Sequence, residues 1–162
     1  MQRDPREPFR SVGADGGARG GLRQEWPQDL SCRTVPAVAE RLTPLRHALA
    51  DWARRVGLSP EITHDVVLAS YEAMANVVEH AYHGGGGVLD LHATYSSEHV
   101  RVSVTVADYG RWRPPADDPG PLHGRGLSLI RTLASRAEVE PGPRGTTVRM
   151  HWLLDRATAP GG

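Results

Sequence analysis

Alternation of apolar and polar positions divides the chain into short elements. It is clearest over 100–106, where Val100, Val102, Val104 and Val106 alternate with Arg101, Ser103 and Thr105, the period of a strand with one buried face. Asp108 falls on the valine parity, which aims its carboxylate toward the core side at the strand's end. An earlier strand is predicted through Val88, Leu89, Leu91, Ala93 and Tyr95, with Ser96-Ser97-Glu98-His99 as the turn between them. Asp29–Val35 reads as a first strand at a sheet edge, leading into Pro36. Farther on, Thr146, Val148, Met150, Trp152 and Leu154 share one parity after Val139 and a turn at Pro141–Gly145.

Helical spacing appears in three places. Thr43-Pro44 is an N-cap and first-turn pair, followed by Leu45, Leu49, Trp52 and Val56 and closed by Gly57. Ser59-Pro60-Glu61 opens a second helix through Ile62, Val66, Ala69, Ala73 and Val77 to about Tyr82, ended by Gly84–Gly87. A short third helix, with Leu127, Ile130, Leu133 and Ala134 on one side, follows Gly124-Arg125-Gly126, whereas the proline-rich run Arg111–Pro121 reads as loop. This order predicts an α+β fold, a two-layer sandwich with helices on one face of a mixed, mostly antiparallel sheet. Residues 1–24 carry no apolar period and are expected to be a disordered tail, 25–155 one domain, and 156–162 a second disordered tail.

Composition narrows the function classes. At 162 residues, 39% hydrophobic, the chain has ordinary core-forming capacity, and its formal net charge of zero argues against direct nucleic-acid or membrane-surface binding. Cys32 is the single cysteine, so no intramolecular disulfide forms, and no run suits a membrane span or signal peptide; a cytoplasmic location is expected. A partly buried strand position suits Cys32 better than a nucleophile, because no local His or Asp signature accompanies it. All 19 basic residues are Arg. The Walker A loop and the eukaryotic protein-kinase strand both place a Lys on nucleotide phosphates, so both are excluded.

The second helix is apolar almost all round, yet carries Glu72 and Asn76 stacked at i,i+4. A carboxylate and a carboxamide there must be hydrogen-bonded, metal-linked or facing a wet pocket. Asp108 likewise needs a partner, either the backbone amides it caps after the strand or a ligand. Glycines opening a helix, as at Gly124 and Gly126, admit a polyanion to backbone amides or simply form a tight turn. His80 and His83 follow the Glu72 face without zincin spacing or a third ligand, so a metal site there is not expected. His80 instead suits a hydrogen bond that orients Glu72 or Asn76. Trp52 and Trp152 match core parity, and Trp112 in the loop is placed to touch a nucleotide or partner.

Glu72-x-x-x-Asn76, Asp108-x-Gly110, Gly124-x-Gly126 opening a helix and Gly145-Thr146-Thr147-Val148 opening a strand occur in an order that resembles the N, G1, G2 and final Gly-Thr boxes of the GHKL ATPase superfamily. The compact length and the Glu-Ala-x-x-Asn-x-x-x-His box look most like the bacterial anti-sigma-factor serine/threonine kinases of the RsbW type, with the resemblance covering about Asp29 to Leu154. It implies a Bergerat ATP-binding fold and an ATP site. Asn76 would hold the magnesium ion that bridges the phosphates, and Asp108 would accept a hydrogen bond from the adenine amino group. Gly110, Gly124 and Gly126 would shape the backbone around adenine and phosphates, and Thr146 would complete the network around Asp108. Glu72 would be the general base that activates a protein serine hydroxyl for attack on the γ-phosphate.

Two features depart from the family pattern. The second glycine of the G1 box is Trp112, flanked by Arg111 and Arg113, and Leu122-His123 stands where the best-known kinases place a lid arginine. Arg125, Arg111 and Arg113 are the candidates to take over phosphate-charge stabilisation in its place. The resemblance therefore implies an ATP-dependent kinase that phosphorylates a STAS-type anti-sigma-factor antagonist and sequesters a sigma factor in a partner switch, as a homodimer. The alternative is an ATP-binding regulatory module that captures a partner protein without phosphoryl transfer.

Overall fold

A computed structural model describes residues 28–82, 86–110, 125–155 and 159, with only the backbone of Arg125. The expected loop Arg111–Pro121, the proposed phosphate contacts of Arg111, Arg113 and Arg125, Trp112, His83 and Gly124 all lie outside what is described. So does the tail 1–24. The elements are β1 (Leu30–Pro36), α1 (Ala39–Val56), α2 (Pro60–Asn76), a π-helical turn (Val77–Ala81), β2 (Val88–Ser96), β3 (Arg101–Asp108), α3 (Arg125–Leu133), β4 (Arg136–Gly142) and β5 (Gly145–Leu153). They form one five-stranded sheet in the order β1-β2-β3-β5-β4, and each pairing is antiparallel.

Strand parity was the dependable signal. Val102, Val104 and Val106 are fully buried, and register sets them beside Tyr95, Ala93 and Leu91 of β2 and beside Trp152, Met150 and Val148 of β5. The helices cover this face, with α2 packed between α1 and α3. Leu49, Trp52, Met74 and Ile130 reach into the core from the three helices. The Trp52 indole N–H donates to the Gln28 carbonyl and that of Trp152 to the Leu133 carbonyl, so both large rings bury without orphaning a donor. Val100, expected to begin β3, instead lies in the preceding turn with φ 47°.

Between the first two helices, the ends followed the sequence signals. Ser59 Oγ accepts from the Ile62 N–H, and Gly57, at φ 88°, closes α1. But α1 begins at Ala39 rather than at Thr43, leaving Pro44 inside it. Proline cannot donate to the Glu40 carbonyl one turn back. The extra turn buries Leu42 next to Leu45, which offsets that loss. The second helix also changes geometry after Asn76, where a π-helical turn carries it to Ala81 and Tyr82 takes extended backbone.

Candidate functional site

Glu72 and Asn76 stand half-buried on the last turns of α2. Among the described residues, neither side chain has a hydrogen-bond partner, although each is partly withdrawn from water. Gly126, in the first turn of α3, lies directly over them. A Cβ placed there would come 3.2 Å from Asn76 Oδ1 and 3.4 Å from Glu72 Oε2. Thus α3 opens at the polar pair, and glycine is what lets its backbone approach. The start of α3 thus meets the polar face of the central helix at Gly126.

The second half of the site is built at the end of β3. Asp108 is 7% exposed and completes the buried row that runs through Val106, opposite Leu89. Its Oδ1 accepts from the Gly110 N–H at 2.9 Å and the Thr146 N–H at 3.3 Å. Burial pushes the carboxyl above its ordinary range, and these two hydrogen bonds only partly oppose it. Both bonds fall on Oδ1, and among the described residues no hydrogen bond falls on Oδ2. The Thr146 contact comes from its backbone N–H.

Two glycines permit this packing. A Cβ on Gly145, where φ is 131°, would collide with the Asp108 carbonyl at 1.9 Å, and one on Gly110 would meet the Ala81 carbonyl at 2.1 Å. The helical rod therefore touches both halves of the site: Gly126 sits at Glu72 and Asn76, and Gly110 sits at Ala81, about one turn farther along. The π-helical turn lies between these two contacts. His80 lies within that turn, its Nε2 3.5 Å from a Glu79 carboxylate oxygen.

Sequence reasoning passed over a set of groups behind the Asp108 turn. The Tyr82 hydroxyl donates to the Val88 carbonyl at 2.6 Å and accepts from the Tyr109 N–H at 2.9 Å. The Tyr109 hydroxyl donates at 2.6 Å to Asp90, whose other oxygen accepts from the Thr34 N–H at 2.7 Å. Burial pushes Asp90 up, but the bonds from Tyr109 and Thr34, with Arg33 nearby, hold it below the ordinary carboxylate range. The one hint in the sequence was the tyrosine between Asp108 and Gly110.

Comparison with known proteins decides the family. The profile described as histidine kinase-like ATPase domain matches residues 35–152. The chain belongs to this family. It is 31% identical to the serine-protein kinase RsbW of Halalkalibacterium halodurans over 83% of this chain and 89% of that one. Against the serine-protein kinase RsbW of Bacillus pumilus the identity is also 31%, over 79% and 88%. Among solved structures, the RsbU and RsbW domains of a Mycobacterium tuberculosis protein superpose with a TM-score of 0.65 at 26% identity, covering 80% of this chain and 33% of that one. The histidine kinase domain of a blue-light activated kinase from Erythrobacter litoralis gives 0.51 at 25% identity, covering 74% and 61%. The α+β architecture and the GHKL-type resemblance are thereby established, with the sheet antiparallel in every pairing rather than mixed.

Proposed function

We propose that this histidine kinase-like ATPase domain binds ATP with magnesium and transfers the γ-phosphoryl group to a serine or threonine of an anti-sigma-factor antagonist. The supporting observation is the convergence of Glu72, Asn76 and Gly126 at the mouth of α3, where the two half-buried polar side chains have no hydrogen-bond partner among the described residues. The carboxamide oxygen of Asn76 is a hard neutral donor that suits magnesium beside phosphate oxygens. When bound, that ion neutralises charge on the phosphates. Asp108 Oδ2 accepts from the adenine amino group, and the Gly124–Gly126 segment offers backbone amides to the phosphates. Glu72 takes the proton of the acceptor hydroxyl as its oxygen bonds to the γ-phosphorus and the bond to the β,γ-bridging oxygen breaks, releasing ADP.

The relatives' name, serine-protein kinase RsbW, supports this reading. The STAS-type antagonist is the phosphoacceptor, a sigma factor is the second partner, and the working unit is a homodimer in the cytoplasm. Among the described residues, no helix is long and apolar enough to cross a membrane. The test is transfer of label from ATP to a cognate antagonist. Glu72→Ala is expected to lower transfer about 10²- to 10⁴-fold while ATP binding persists. Equal transfer by wild type and variant would refute the assignment of Glu72.

The non-catalytic reading draws on the departures at Trp112 and at Leu122-His123. It predicts ATP binding that depends on Asp108 and Asn76, together with capture of a regulator that is indifferent to Glu72.

A further inference from the structure

We propose that the Tyr82 hydroxyl is a positioning group for the nucleotide site, fixing the peptide that joins Asp108 to Tyr109 so that the site reads adenine. This rests on the reading of Asp108 as the adenine acceptor. The argument is geometric. A phenol has one proton to give, and here it goes to the Val88 carbonyl, so the bond from the Tyr109 N–H must enter through an oxygen lone pair. That N–H belongs to the peptide immediately after Asp108, and the next N–H, of Gly110, is taken by Asp108 itself. The two amides of the turn are thus held by different acceptors, one by Tyr82 and one by the carboxylate that recognises the base.

The anchor is itself fixed. The Tyr82 ring lies so close to Gly87 that a Cβ there would overlap ring carbons at 2.1–2.2 Å. The Gly87 carbonyl in turn accepts from the Ala37 N–H, and Val88 pairs with Pro36 of β1. Behind the turn, the Asp90 carboxylate joins the Tyr109 hydroxyl to the Thr34 N–H, so Tyr109 is gripped at its backbone by one tyrosine and at its side chain by an aspartate. Tyr82 also ends the helix that carries Glu72 and Asn76, and so links the base-reading and phosphate-reading halves. No contact with nucleotide is required of it.

The experiment compares full-length wild type, Tyr82→Phe, Asp90→Ala and Asp108→Asn by calorimetric titration with Mg-ATP, Mg-GTP and magnesium tripolyphosphate. Tyr82→Phe keeps the ring against Gly87 and removes only the hydroxyl. It is expected to weaken ATP about tenfold, to shrink the preference for ATP over GTP, and to leave tripolyphosphate binding unchanged. Asp90→Ala, acting from the other side of the turn, is expected to shift the same preference by a smaller factor, and it serves as the readout where Tyr82→Phe fails to fold. If Asp108→Asn abolishes the ATP preference and both brace variants retain it, the inference falls while the site reading stands. If Asp108→Asn retains the preference, the adenine assignment falls and the inference with it. Equal losses for all three ligands would make Tyr82 a purely structural residue and overturn the proposal.

Discussion

Asp108 takes its two backbone donors on a single oxygen, an arrangement that asparagine reproduces with its carbonyl. Asp108→Asn therefore separates folding from recognition. The amide nitrogen replaces the acceptor offered to adenine, and ATP affinity is expected to fall at least tenfold by titration. Stability moves the other way. The folded state raises the carboxyl above its ordinary value of 3.8. Ionised Asp108 therefore costs stability above that range, and the cost disappears once the group is protonated below it. Thermal melts should show the variant matching or exceeding wild type at pH 7, with that advantage fading toward pH 3.5. Parity along β3 was enough to find Asp108, because a strand end on the buried side is a local property. Tyr82 was not legible that way. An aromatic at a helix end reads as packing, and its amide partner lies 27 residues on.

The central helix carries the site because two polar side chains on it meet a glycine from another element. Gly126→Ala tests that meeting. Alanine favours helix over glycine by up to about 1 kcal/mol in a helix interior, so α3 should form at least as well. The methyl would press within 3.2–3.3 Å of the Asn76 carboxamide, forcing it to shift, and would touch Glu72 Oε2 at 3.4 Å. The expected outcome is an unchanged or higher melting temperature with Mg-ATP affinity reduced about tenfold, read by melts and titration on the same sample. Ser59-Pro60 and Gly57 announced their helix ends through capping chemistry, which short range suffices to encode. The start of α1 was misplaced because Pro44 ordinarily marks a first turn, whereas the helix begins one turn earlier and buries Leu42 in the core. The π-helical turn had no signal in the sequence, since one changed hydrogen-bond step leaves the apolar pattern of 77–81 helical in appearance.

Across the whole molecule, one core joins all three helices to the sheet, so the domain is expected to unfold in a single transition. Leu91, fully buried on β2, tests this: Leu91→Ala should cost about 2–5 kcal/mol and displace the entire melt rather than one phase of it, as followed by circular dichroism. The layer order was legible because strand and helix periods differ and each element had its own. The meeting of Gly126 with Glu72 and Asn76, and of Thr146 with Asp108, had no local signal, because contacts between segments so far apart leave no mark on periodicity; the family resemblance alone grouped these residues into one site.

The sheet's outer strand has one further consequence. Between Cys32 and Val35 the pairing of β1 with β2 slips, and Thr34 sits there at φ 55° with its N–H turned to Asp90. An unpaired strand edge is a template for another strand, and a bulge bends it out of the flat form that such stacking needs. The kink that braces the Tyr109 side chain is thus also expected to disfavour self-association through this edge. Deleting Thr34 would restore regular alternation to β1. The expected result is increased light scattering on gentle heating, with aggregates rich in intermolecular β-structure by infrared spectroscopy, while a variant with the bulge intact stays clear.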